Sequence, residues 1–167
     1  MLKEYQISNF KAFDGPETLP IKPITLIFGP NSSGKSSILQ SLLMLKQTLD
    51  EATDPNTILL FKGSLVDLGS YREFVHSHDV SRTFSFKVTM TKPIDLEDVF
   101  PCDDYVCNCR SLSPDFNELK ESCTFDTIGI NIAFSYNTGS RRTTVSGIEL
   151  FLGDNPAPII TYGFGKP

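Results

Sequence analysis

The chain has 167 residues, 40% hydrophobic and 21% charged, the balance of a globular protein and not of a disordered chain, a coiled coil or a disulfide miniprotein. Fifteen basic against twenty acidic side chains give a net charge of −5, which argues against a bulk cationic nucleic-acid binder while leaving room for a local basic patch. No apolar run approaches the ~18 residues needed to cross a bilayer. Met1 to Phe10 carries Lys3 and Glu4 among its apolar positions, so no export signal is expected and a cytoplasmic location follows by default.

In chain order, Leu2, Tyr5 and Ile7 open an extended pattern that continues through Phe10 and Phe13, and Asp14-Gly15-Pro16 is a turn signal. Ile24 to Phe28 is a short apolar run with the character of a strand buried on both faces. A Gly-rich turn, Gly29 to Gly34, follows. Ile38, Leu39, Leu42, Leu43, Leu45 and Leu49 then recur at helical spacing, predicting a helix from Lys35 to about Asp50 that stops at Asp54-Pro55-Asn56. Strict alternation at Phe84, Phe86, Val88 and Met90 predicts a half-buried strand, and Ile128, Ile130, Ile132, Phe134 and Tyr136 predict another. The turn Asn137-Thr138-Gly139-Ser140 and the segment Thr144 to Leu152 complete a hairpin, with Ile159, Ile160 and Tyr162 as a last short strand.

The acidity is concentrated. Residues 92–126 hold nine acids and three bases, a net of −6, which leaves the rest of the chain at +1. That stretch also contains Pro93, Pro101, Pro114 and all four cysteines, and reads as an insertion between strand regions. The domain expectation is a nucleotide-binding core over 1–91, an acidic insertion over 92–123 and an antiparallel β region over 124–167.

One motif carries chemistry. Gly29-Pro30-Asn31-Ser32-Ser33-Gly34-Lys35-Ser36 matches the phosphate-binding P-loop pattern, and it lies between a strand pattern and a helix pattern, the context this chemistry requires. Glycines let successive backbone N–H groups converge on one anion, and the start of the following helix favours the same charge. Lys35 can reach the β- and γ-phosphates, the Ser36 hydroxyl is a hard oxygen suited to Mg²⁺, and Ser37 can bond the α-phosphate. The expected cofactors are ATP and Mg²⁺.

Ile7-Ser8-Asn9-Phe10-Lys11-Ala12-Phe13, the run Ile24 to Phe28 and the P-loop with Ser37-Ile38-Leu39-Gln40 together resemble the N-terminus of ABC-type ATPase heads. The branch is that of RecF, the SMC proteins and the OLD-type and Septu-type ATPases of phage defence. Gly63-Ser64-Leu65-Val66-Asp67-Leu68-Gly69-Ser70-Tyr71 is similar too, and the resemblance covers residues 1 to about 91. It implies an α/β fold: a P-loop NTPase core with an antiparallel β subdomain. It also implies that Asn31, Ser32, Ser33, Gly34, Lys35, Ser36 and Ser37 bind the triphosphate and magnesium, with Lys11 near the sugar or phosphates. ATP hydrolysis, dimerisation or larger assembly through the head, and a protein effector subunit belong to the same implication, in DNA metabolism or phage defence.

The chain departs from such a head in three respects. A magnesium-coordinating glutamine in its own loop has no counterpart, because Gln40 and Gln47 sit in the predicted helix. Val145-Ser146-Gly147-Ile148-Glu149 bears a faint likeness to a signature loop but falls within a strand pattern. No apolar strand ends in Asp-Glu; Ile148 to Asp154 is interrupted by Gly153. The expectation is therefore the first half of a larger ATPase, an incomplete head that binds ATP–Mg²⁺ without appreciable turnover. A non-hydrolysing interaction module acting through a protein partner is the alternative. A small kinase ranks last, because its strands and helices would keep alternating.

Cys102, Cys107, Cys109 and Cys123 could form a tetrahedral zinc site, but paired C-x2-C knuckles are absent and reduced cysteines in an acidic loop are favoured. His76 and His78 read as loop histidines, and Arg141-Arg142 as a solvated turn.

Overall fold

The computed structural model describes residues 1–54, 57–95 and 124–163. Six strands form one antiparallel sheet: β1 (Leu2–Ser8), β2 (Glu17–Pro20), β3 (Phe84–Asp95), β4 (Thr124–Asn137), β5 (Arg142–Leu152) and β6 (Ile160–Gly163), in the order β2-β1-β3-β4-β5-β6. Between β2 and β3 the chain leaves the sheet to form α1 (Lys35–Glu51), then the short α2 (Tyr71–Phe74) and a 3₁₀ turn at His76–His78. Parts of the chain before and after the acidic stretch thus share a single sheet.

Alternation sets the two faces. One register row runs Ile7, Phe86, Ile132, Ile148 and Tyr162 across β1, β3, β4, β5 and β6. The next row, Gln6, Lys87, Asn131 and Glu149, points the opposite way, as the two-residue strand period requires. On the polar face Gln6 donates to Thr18 Oγ1 at 2.8 Å and Asn131 to Glu149 Oε2 at 2.9 Å. The Lys87 ammonium sits 3.3 Å from the Phe151 ring centroid, where Gly129 leaves room for its stem. The β4–β5 turn follows its sequence: Asn137 Oδ1 accepts from the Ser140 N–H at 2.9 Å, and Arg141 takes φ 54°.

The other face carries the core, where Tyr5, Ile7, Phe84, Phe86 and Phe134 meet Met44 of α1 and Leu59, Leu68, Tyr71, Phe74 and Val75 from the connecting segment. Aromatic rings dominate it: Phe74 lies 5.5 Å from Phe10, 5.0 Å from Phe61 and 5.6 Å from Phe84 between centroids, within the range in which ring pairs add to simple burial. The Tyr71 hydroxyl lies 2.8 Å from Arg82 O and 2.9 Å from Phe134 O, and it accepts from the Phe84 N–H. This ties α2 to β3 and β4.

One expectation is corrected here. Ile24 to Phe28 joins no strand among the described residues, and Ile24, Leu26 and Phe28 are 80%, 70% and 84% exposed. An apolar run becomes a buried strand only when neighbours pair its backbone and cover its faces, and the six-stranded sheet is built without it. The helix expected from leucine spacing does form, but Leu39, Leu43 and Leu49 face outward, while Ser37, Ser41, Met44 and Gln47 are buried. Leu42 and Leu45 pack against the core, whereas Leu39, Leu43 and Leu49 lie on a side that the antiparallel sheet does not use. Val145 to Glu149 lies within β5 and forms no loop. The four cysteines lie outside the described residues; no helix among the described ones is long and apolar enough to cross a membrane.

Candidate functional site

The loop Gly29–Ser36 opens α1, and its geometry follows from its residues. Gly34 is the residue before the helix, with φ 93°, a left-handed conformation that glycine tolerates best. It has no room for a side chain either: a Cβ there would stand 2.9 Å from Phe13 Cζ and 3.3 Å from Ala12 Cβ. The segment after β1 therefore forms the floor on which the loop turns. Ser32 also takes a positive φ, 65°.

Because the position before α1 is glycine, no side chain caps the helix, and its first turn carries no acid. Uncapped N–H groups and an uncompensated positive helix end attract an anion. The Lys35 ammonium curls back over the loop and donates to Gly29 O at 2.9 Å and to Pro30 O. A cation is thus parked at the mouth of the loop. Asn31, Ser32, Ser33 and Ser36 are exposed, Lys35 is half-buried, and Gly34 and Ser37 are buried, so the loop presents hydroxyls and an ammonium to solvent above a packed base.

Lys11 comes from the other side. After β1 the chain makes a tight excursion in which Asn9 and Lys11 take φ 55° and 47° around a fully buried Phe10. Phe10 and Phe13 exchange backbone hydrogen bonds at 3.0 and 2.8 Å. The Lys11 N–H donates to Phe74 O at 2.6 Å, its carbonyl lies 2.8 Å from His76 Nδ1, and the His76 N–H donates to Asn9 O at 3.1 Å. Arg82 braces the excursion through Asn9 Oδ1 (3.0 Å) and through Asp14, whose carboxyl is held below its usual range mainly by the Arg82 hydrogen bond. The Lys11 ammonium reaches α1 and donates to Gln40 Oε1 at 2.6 Å. Partial burial lowers its pKa from the ordinary lysine value.

A family model described as an AAA ATPase domain matches residues 1–146. The chain belongs to this family. Its similarity to curated relatives is short and sharp: it is 49% identical over 43 residues to the "Chromosome partition protein Smc" of a Synechococcus species, and 46% identical over 43 residues to the protein of that name from a Synechocystis species. Each match covers 25% of this chain and 4% of the relative. An AAA ATPase domain with SMC similarity is a nucleotide-binding module of an ATPase family, as the resemblance of the N-terminal residues implies.

Of the residues singled out in the sequence, the structure brings Asn31 to Ser37 together around the start of α1 and sets Lys11 beside the second turn of that helix. His76 and His78 lie in the 3₁₀ turn and bond to backbone carbonyls, His78 Nδ1 to Arg72 O at 2.8 Å; among the described residues no cluster of His, Cys, Asp or Glu is arranged to hold a metal. Arg141 and Arg142 are exposed at the hairpin turn. Gln40 and Gln47, which the sequence places only in the helix, make tertiary contacts. Gln40 holds Lys11, and the one available signal was its i,i+4 spacing from Ser36, which places both on one side of the helix. Gln47, fully buried, donates to Leu60 O at 2.6 Å and accepts from the Val66 N–H at 3.0 Å, clamping the segment after α1.

Proposed function

We propose that this AAA ATPase domain binds ATP–Mg²⁺ at the Gly29–Ser36 loop, acting as a Walker A loop, and forms the N-terminal part of an ABC/SMC-like ATPase head. The uncapped, acid-free start of α1, with the Lys35 ammonium lying over the loop, is the observation that carries this reading. In it, backbone N–H groups of Asn31 to Lys35 surround the phosphates, Lys35 exchanges its carbonyl partners for phosphate oxygens, and Ser37 bonds the α-phosphate. The exposed Ser36 hydroxyl suits Mg²⁺, which when bound neutralises charge on the phosphates. Lys11 adds a second cation.

Binding without turnover is expected of the chain alone, because its sequence has no Asp-Glu strand end to orient water. A strand-bearing complement that pairs with Ile24 to Phe28 would bring that carboxylate, and the exposure of Ile24, Leu26 and Phe28 supports such a partner surface. Head-to-head dimerisation and a DNA-linked or phage-defence setting complete the proposal. The first of those settings agrees with the name of the Smc relatives. The same exposed surface also fits the alternative, an interaction module that uses nucleotide as a ligand only. Addition of the complement separates the two: turnover appears with a head and stays absent with a module.

Calorimetric titration tests the core claim. Wild type is expected to bind ATP–Mg²⁺, and Lys35→Ala to lose about ten- to a hundred-fold in affinity, the worth of a charge-assisted hydrogen bond to phosphate. Equal, negligible affinity in both proteins sinks the proposal.

A further inference from the structure

Lys11 is held in a way that an exposed structural lysine does not need. Its backbone sits in the left-handed region at φ 47°, fixed through its N–H by Phe74 O and through its carbonyl by His76. Strain of this kind persists only where surrounding contacts over-determine it. The side chain is equally defined: Nζ donates to Gln40 Oε1 at 2.6 Å and lies 6.0 Å from the Phe10 ring centroid. Gln40 stands four residues after Ser36 on α1, one turn along the same side of the helix. Its amide oxygen is a neutral acceptor. A carboxylate at this position would hold the ammonium as firmly but would cancel its charge and repel phosphate.

We propose that Gln40 is a positioning residue for nucleotide binding: it fixes the Lys11 ammonium on the Ser36 side of α1, where that charge serves the phosphates of a nucleoside triphosphate. The proposal rests on the reading of the Gly29–Ser36 loop as an ATP site and adds a residue outside its motif. A free lysine must give up the rotamer freedom of four bonds when it meets a ligand; one already held by Gln40 has given up most of it before the ligand arrives.

The test is a double-mutant cycle read by titration with ATP–Mg²⁺ and with adenosine, in wild type, Gln40→Leu, Gln40→Glu, Lys11→Met and the Gln40→Leu/Lys11→Met pair. Gln40→Leu is expected to weaken ATP by roughly three- to ten-fold while leaving adenosine affinity and the thermal midpoint unchanged, the gap reflecting lysine ordering alone. Gln40→Glu should weaken ATP further and increase the salt dependence of what remains. In the Lys11→Met background, Gln40→Leu should cost nothing more, since its only role is through Lys11. Wild-type ATP affinity in both Gln40 variants overturns the proposal, as does an equal loss with and without Lys11. A parallel loss for adenosine also overturns it, because that marks a structural effect on α1. If wild type itself fails to bind ATP, the loop reading falls together with this one, whereas good wild-type binding with insensitive Gln40 variants removes only this one.

Discussion

At the scale of single residues, Tyr5 shows how the core meets α1. Its ring is buried, and its hydroxyl donates to Ser41 Oγ at 2.9 Å, which in turn donates to Ile38 O at 2.7 Å. Burial pushes the phenol pKa up to about 12, against the lowering effect of the Ser41 hydrogen bond. An unfolded tyrosine ionises near pH 10, so between about pH 10 and 12 the unfolded chain has released a proton that the folded chain still holds. The sign follows: this contribution to stability is fully present below pH 10 and drains away as pH rises toward 12, by roughly 3 kcal/mol in all. Tyr5→Phe should flatten that decline, which denaturant midpoints measured across the interval for both proteins will check; an unchanged slope would refute the assignment. Gly34 is the second informative residue. An alanine there meets both a φ of 93° and Phe13 Cζ at 2.9 Å, so Gly34→Ala is expected to lose about 1–3 kcal/mol of stability in urea unfolding and to weaken ATP binding with it.

Among elements, α1 is the hinge of the argument because its two sides differ in kind. Ser37, Ser41, Met44 and Gln47 face the sheet and the segment after the helix, and Leu42 and Leu45 pack against the same core. Gln47→Leu keeps the volume but leaves Leu60 O and the Val66 N–H without their partner, for an expected cost of about 2–4 kcal/mol by urea unfolding. A loss below about 0.5 kcal/mol would show that water replaces the amide at no penalty. The contrast between the two sides also explains what the sequence could and could not reveal. Strands with clean alternation, such as Phe84 to Met90 and Ile128 to Tyr136, were legible because their period is a property of their own backbone. The existence of α1 was legible for the same reason. Which side of it is buried was not, since counting leucines identifies an apolar stripe without identifying the surface that meets it. Lys11 and the loop became candidates from motif and resemblance, whereas Gln40 and His76 meet Lys11 only through tertiary contacts across 29 and 65 residues.

For the molecule as a whole, beside the exposed apolar side chains Met1, Ile58, Leu65, Met90, Ile148 and Tyr162, six more form a set: Ile24, Leu26 and Phe28 before the loop, and Leu39, Leu43 and Leu49 on α1. They come from the two segments that flank Gly29–Ser36, while the opposite side of α1 is already satisfied by the antiparallel sheet. A run of alternating large apolar side chains more than two-thirds exposed is a surface built for cover. If cover comes from a separate strand-bearing partner, these side chains contribute nothing to the fold of the chain by itself. The triple variant Ile24→Ser, Leu26→Thr, Phe28→Ser is then expected to change unfolding free energy by less than about 0.5 kcal/mol per site, as for ordinary surface positions. It should also lower binding of a hydrophobic dye and self-association at high concentration. The same variant should fail to combine with the complementary half of a head, measured by co-elution. A large loss of stability in the isolated chain would contradict this, because it would show that Ile24 to Phe28 already packs within the chain in solution. Stability retained with dye binding reduced ties the exposed surface to partnership, and the loop proposed to hold ATP lies where a partner's arrival can act on it: directly after Phe28 and at the head of α1.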